Sequence, residues 1–223
     1  MLALKQALSL VSSKSLGVSW SPDDETSLEA WYQNAVGITL NGSDVSQWAD
    51  SSTNGYDMTA SGTQQPAYSG GVLTFVSADS NNLQTTGQIS LTGDFTIGIK
   101  CFPTEFNNVI IADNTTTNEF FKFTTTSQFR IRIDGGTQNI TLDSGTFGDD
   151  YLVITRASNV LTLHQNGTAQ STTPTLSGTA DIDAIGVRAT DTNAYAGTIK
   201  EIQIYNSSSA GLTANVNDRL ATL

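Results

Sequence analysis

Asp50, Ser52, Asn54 and Asp57 fall within eight residues of one another, with Gly55 and Tyr56 inside the same run. Side-chain oxygens at that spacing suit a hard cation, because calcium collects several oxygens at about 2.4 Å. The run begins like an EF-hand loop but lacks the bidentate glutamate that closes one. Asx-rich turns produce the same pattern by bonding to their own backbone. Two readings of Asp50, Asn54 and Asp57 therefore stand: ligands of a calcium ion, or the polar atoms of a hydrogen-bonded turn. A second chemistry is stacking on sugar rings, which needs an exposed aromatic with polar neighbours. Tyr56, Tyr68 and Tyr195 lie in or beside turn-rich segments and are the candidates for glycan binding. Tyr195, which follows Thr190-Asp191-Thr192-Asn193-Ala194, has the most polar company.

The patterns of catalysis are weaker. Glycoside hydrolysis needs two carboxylates held across a sugar ring. Asp181-Ile182-Asp183 alternates as a strand would, but no glutamate flanks it, and Glu105, Glu119 and Glu201 stand alone. His164, the one histidine, sits in a strand-like run without a nucleophile signature, and reads as a solvent-facing strand residue. No Gly-x-Ser-x-Gly elbow occurs. No catalytic residue is assigned, and a non-enzymatic protein is expected.

Composition narrows the partners. The 223 residues carry 10 Lys and Arg against 21 Asp and Glu, a net charge of −11, which repels a phosphate backbone and argues against nucleic acid. Hydrophobic residues make up 38%, and no run approaches the roughly 20 apolar residues of a membrane-spanning helix. Only 14% of residues are charged, against about 25% in an average soluble protein, so Ser, Thr, Asn, Gln and Gly make the polar surface. Cys101 is the single cysteine, so no intrachain disulfide can form, and its alternating run predicts a buried thiol.

The elements that must position these residues are strands. Asp94–Cys101 and Gln128–Ile133 alternate apolar and polar residues, the mark of half-buried strands. Further strands are expected at 72–76, 109–112, 120–124, 139–142, 151–155, 160–165, 184–188 and 198–205. Gly70-Gly71, Asp134-Gly135-Gly136, Gly148-Asp149-Asp150 and Asn166-Gly167 punctuate them. Asn166-Gly167 is the sharpest turn signal, since type I′ hairpins want positive φ at both central residues. Leu212, Val216, Leu220 and Leu223 follow helical spacing and predict a short C-terminal helix. Met1 to Gly17 differs from the rest: Leu2, Leu4, Leu8, Leu10 and Val11 with Lys5 and Lys14 read as an arm that docks on a partner subunit, or else as an edge strand. It is a poor signal peptide, because Lys5 and Gln6 interrupt the apolar stretch. Ser21-Pro22-Asp23-Asp24-Glu25 is a polar break, so residues 1–27 are expected as arm and break, and 28–223 as the domain.

The order of these pieces resembles the laminin-G-like branch of the concanavalin A-like lectin and glucanase jelly rolls. The resemblance starts at Leu28-x-x-Trp31 and continues through Val45-x-x-Trp48-x-Asp50, Pro66-x-Tyr68 and Val72-x-x-Phe75. It then takes in Leu83, Thr92–Ile97, the pair Val153–Arg156 and Leu161–Gly167, Gly186, and Gly197–Tyr205 with the closing helix. It implies an all-β, two-sheet antiparallel jelly-roll sandwich with a short N-terminal arm and a short C-terminal helix. Glucanases of this fold set acidic residues in alternation on one strand, a pattern this chain lacks; other members bind calcium at a sheet edge near the ligand. Stand-alone phage structural proteins share this layout. The function expected from the likeness is a virion structural protein, a capsid decoration, fibre or tail-associated subunit, displaying a lectin-like jelly roll on the virion surface. Its expected partners are other virion subunits through residues 1–17, further copies of itself and cell-surface polysaccharide. The alternative is a secreted, extracellular bacterial adhesin or carbohydrate-binding module.

Overall fold

The computed structural model describes residues 20–223, so the expected docking arm at residues 1–17 lies outside the described residues. The strands, in chain order, are β1 (Leu28–Tyr32), β2 (Ile38–Asn41), β3 (Asp44–Trp48), β4 (Met58–Thr59), β5 (Ala67–Ser69), β6 (Val72–Phe75), β7 (Leu83–Leu91), β8 (Phe95–Pro103) and β9 (Val109–Ala112). They continue as β10 (Phe120–Thr125), β11 (Gln128–Ile133), β12 (Gly136–Thr141), β13 (Asp150–Ala157), β14 (Val160–Gln165), β15 (Thr168–Ala169), β16 (Ala180–Ile185) and β17 (Gly197–Tyr205). A single α-helix, α1 (Ala210–Leu220), follows among the described residues.

All the pairings are antiparallel. One layer runs β15–β14–β13–β8–β17, and β17 pairs along its far edge with β6 in its first half and β1 in its second. The other layer runs β12–β11–β10–β9–β16–β7–β4–β3–β2. β5 joins the two at one edge through β3 and β6. Alternation then decides which side chains meet. Ile97, Ile99, Leu152, Ile154, Ile202 and Ile204 of the first layer share one core with Phe121, Phe123, Phe129, Ile131 and Ile182 of the second. Phe95 and Phe121 bridge the layers edge to face, with ring centroids 6.3 Å apart. The result is the β-sandwich with one C-terminal helix that the sequence implied.

Turn chemistry follows the backbone it must adopt. Asn166 and Gly167 take φ of 49° and 80° between β14 and β15, the left-handed pair that the sequence predicted. Ser158 and Asn159, at 49° and 66°, make an equivalent turn between β13 and β14 that lacks a glycine and so gave no sequence signal.

The helix covers the outer face of the first layer. Ser209 caps it, its hydroxyl accepting from the Leu212 amide at 3.1 Å. Leu212, Val216 and Leu220 are buried with Val153 and Tyr205, as the spacing predicted. β8 is consequently buried on both faces, and Gly98 is what lets the helix approach: a Cβ there would lie 2.5 Å from Val216 Cγ1. Arg219 anchors the helix end to Glu201 on β17, Nε to Oε1 at 2.5 Å and a second guanidinium nitrogen to Oε2 at 2.9 Å. Arg156 is buried and donates to the Gly93, Gly178 and Leu91 carbonyls, holding the turn before β8 and the start of β16.

Candidate functional site

The Asp50 loop is closed by its own backbone. Asp50 Oδ1 accepts from the Trp31 and Ser52 amides, both at 2.9 Å, and Oδ2 from Ser52 Oγ at 2.6 Å and the Tyr56 amide at 3.1 Å. Asp57 accepts from the Asp50 amide at 2.9 Å and from Gln47 Nε2 at 2.8 Å. Asn54 turns its nitrogen to the Leu28 and Glu29 carbonyls. These carboxylate oxygens are directed at N–H and O–H donors, the arrangement of a hydrogen-bonded turn, which stitches β1 to the segment after β3. Among the described residues no group of three acidic, histidine or cysteine side chains converges as a metal site would need.

The three tyrosines divide. Tyr195 is 1% exposed: its ring packs edge to face on Phe75 at 5.8 Å, and its amide bonds to the Gly186 carbonyl at 2.7 Å. It cannot stack on a sugar, and the expectation of a binding role there is corrected. The signal against it was local: Ala194-Tyr195-Ala196-Gly197 is a small and apolar lead into β17 rather than the tail of a polar loop. Tyr56 and Tyr68 are half-buried and lean on the core. Tyr56 lies close over Gly87 of β7, where a Cβ would come within 2.9 Å of its ring.

Polar side chains instead gather on the outer face of the second layer, beside the loop that follows β16. A cleft of about 500 Å³ is lined by Thr59, Ser61, Gln64, Asn82, Gln84 and Thr85. Gln64 Nε2 and Gln84 Nε2 both donate to Asp191 at 2.9 Å, Gln84 also donates to Asn82 Oδ1 at 2.9 Å, and Asn114 Nδ2 reaches Asp191 at 3.1 Å. Ala189, Thr190, Asp191 and Asn193 hold φ of 41°, 59°, 63° and 52°, a run of left-handed residues without a glycine. Such strain gathers where a loop must hold a particular shape. Sequence reasoning missed this network because amides from 64, 82, 84 and 114 have no shared motif; only the fold of β7 and β9 beside loop 188–193 brings them together.

The isolated acids serve structure. Glu201 is fully buried and accepts from Trp31 Nε1, the Asn34 amide and Gln203 as well as Arg219. Asp183 accepts from the Asn114 amide and Asp181 from Ser90 Oγ, both at 2.6 Å, while Glu119 accepts from the Asp134 amide at 3.1 Å. Burial, with repulsion from Asp113, holds Glu119 and Asp183 above the ordinary carboxylate range. His164 is half-buried beside α1 with Thr213 and Asn217 nearby, and burial lowers its pKa. Cys101 is buried and its thiol pushed up to about 12, the inert core thiol that its strand pattern predicted.

No protein-family model matches the chain, and none of the curated proteins is similar to it in sequence. Solved structures are similar in fold. Domain 4 of AbnA, an extracellular arabinanase from Geobacillus stearothermophilus in complex with arabinotriose, superposes with a TM-score of 0.56 at 15% identity, over 87% of this chain and 98% of that one. Trypanosoma rangeli sialidase gives 0.55 at 11% identity over 88% of this chain, which spans 33% of the sialidase. A structure of botulinum neurotoxin type C, whose cell entry is dependent upon interaction with two ganglioside molecules, gives 0.53 at 14% identity over 89% of this chain and 52% of that one. At these identities the likeness shows the jelly-roll sandwich fold.

Proposed function

We propose that this chain is a non-catalytic glycan-binding jelly roll displayed on a surface, and that it reads sugar through the outer face of the second layer. The observation that carries the reading is the amide cleft of Gln64, Asn82 and Gln84 around Asp191. Planar amides and a carboxylate present both donors and acceptors, the complement of a sugar's hydroxyl groups, and their bonds to Asp191 keep them set. The likeness to a somewhat shorter domain solved with arabinotriose supports it. The acids that hydrolysis would need are spent on backbone amides, hydroxyls and the Arg219 pair.

The setting we favour is a virion, as a capsid decoration, fibre or tail-associated subunit of the laminin-G-like kind. The weakly charged hydroxyl- and amide-rich surface, the resemblance to phage proteins and the apolar residues at 2, 4, 8, 10 and 11 support it. A secreted carbohydrate-binding module is the second reading, favoured by the likeness to one domain of an extracellular enzyme.

The test is retention of the purified protein on immobilised bacterial and plant polysaccharides, followed by end-product analysis of the same polysaccharides. Wild type should be retained by at least one and shorten none, and a Gln64→Ala, Gln84→Ala double variant should lose about tenfold in affinity, the scale of two neutral hydrogen bonds. New reducing ends, or full retention by the double variant, would overturn the assignment.

A further inference from the structure

Ten Lys and Arg serve this acidic chain, and their placement is uneven. Lys5 and Lys14 precede the described residues. Arg156 ends on backbone carbonyls, Lys100 on Asp149, Arg219 on Glu201 and Lys200 on the Leu223 carbonyl. The remaining four, Lys122, Arg130, Arg132 and Arg188, meet on the outer face of the second layer. Lys122 and Arg130 are direct cross-strand partners on β10 and β11, and Phe120 and Arg132 are the next such pair on that face. Arg188 sets its guanidinium 4.8 Å over the Phe120 ring, and Lys122 Nζ lies 5.1 Å from the same ring. Arg188 belongs to the loop whose Asp191 organises the amide cleft, so cations and amides border one another.

None of the four has a carboxylate within 4.0 Å among the described residues, and residues 1–19 contain no Asp or Glu. Their partners are neutral: Asn139 for Arg130, Asn107 for Lys122, Asn118 for Arg132, and for Arg188 the Thr117 carbonyl and the Asn193 amide oxygen, which a carboxylate would displace. Like charges opposite one another weaken an antiparallel pair. Burial, and then repulsion from Arg188 and Arg130, brings Lys122 down to about 8. An independent sign is Arg132 Nε, shielded from solvent and without a hydrogen-bond partner, where buried polar atoms are almost always paired.

We infer that this face binds the carboxylate of an acidic sugar, with the Arg132 and Arg188 guanidinium forks as the receiving groups, Lys122 and Arg130 as flanking charge, and the Gln64–Gln84 cleft taking the neighbouring hydroxyls. Guanidinium forks match a carboxylate with two parallel hydrogen bonds. The inference rests on the glycan-binding reading and specifies its ligand. A phosphodiester chain fits less well, because the cleft beside the forks presents amides for several sugar hydroxyls, which a DNA backbone lacks.

The experiment compares retention of wild type and an Arg132→Gln, Arg188→Gln variant on immobilised polygalacturonate and alginate, each beside its carboxyl-esterified form, with duplex DNA as a further arm. Wild type should bind at least one acidic polymer about tenfold or more tightly than its ester, the variant should lose that preference, and raising salt should weaken it. Circular dichroism should show the variant folded, with a melting temperature no lower than wild type because repulsion is relieved. Should the double variant unfold, Arg130→Gln carries the same comparison at the edge of the patch. Equal binding to acid and ester overturns the carboxylate assignment while leaving the glycan reading intact. Binding to none of the polymers overturns the acidic-sugar assignment and leaves the glycan reading to the wider polysaccharide panel, and tighter binding to DNA than to any of them overturns the sugar assignment.

Discussion

Lys122 reports on the basic face through its titration. Its pKa falls from 10.5 to about 8 on folding, chiefly by burial, so between those values the unfolded chain holds a proton that the folded protein has released. Stability from this group therefore rises with pH from about 8 to 10.5, and below 8 the full cost of the buried cation is present. Replacing Lys122 with Met should stabilise the protein at pH 7 by roughly 1–3 kcal/mol, an advantage that shrinks by pH 10; thermal melts at the two pH values check it, and a constant difference would contradict the burial. Asp50 sets the opposite case, a carboxylate that stabilises by accepting. Asp50→Ala leaves four donors without their acceptor and should cost about 1–3 kcal/mol. EDTA should move neither melting curve; a fall in the wild-type curve alone would restore calcium. At this scale the oxygen-rich run was legible, but its partners were not: the Trp31 amide lies far away in sequence, and spacing alone cannot separate a turn from a ligand set.

At the scale of elements, strands with clean alternation were readable to the residue, as in β11 and β14, and so was the short, wholly apolar β9. β7 was not. Leu-Gln-Thr-Thr-Gly-Gln-Ile-Ser-Leu shows polar residues through its middle, because its outer face is the polar side of the sheet and Gly87 makes room for Tyr56. The strand expected at 184–188 instead occupies Ala180–Ile185, since Gly186 turns left-handed at φ 90° and Asp181 and Asp183 supply the outward half of the alternation. The helix offers two tests. Gly98→Ala would drive a methyl into Val216 Cγ1 at 2.5 Å and should cost about 1–3 kcal/mol in denaturant unfolding. Arg219→Met would leave buried Glu201 without its cation and should cost about 3 kcal/mol. Arg219→Lys should recover only part of that, because a single ammonium cannot replace the two-point contact.

Across the whole molecule, two kinds of polar chemistry are separated in space. The first layer is sealed by α1 and by the Glu201–Arg219 pair, while the second turns its amides and unpaired cations outward around loop 188–193. Composition alone gave the opposite impression, since a net charge of −11 hides a local excess of positive charge. That excess becomes visible only when β10, β11 and the loop after β16 are assembled. The most direct test of glycan binding at this face is amide hydrogen exchange on the intact protein, with and without a polysaccharide that retains it. Added protection should concentrate in β7, β10, β11 and residues 188–193, with the Asp50 loop unchanged and the polysaccharide recovered at full length. Protection confined to the Asp50 loop or to β5 around Tyr68, or a shortened polysaccharide, would contradict the account.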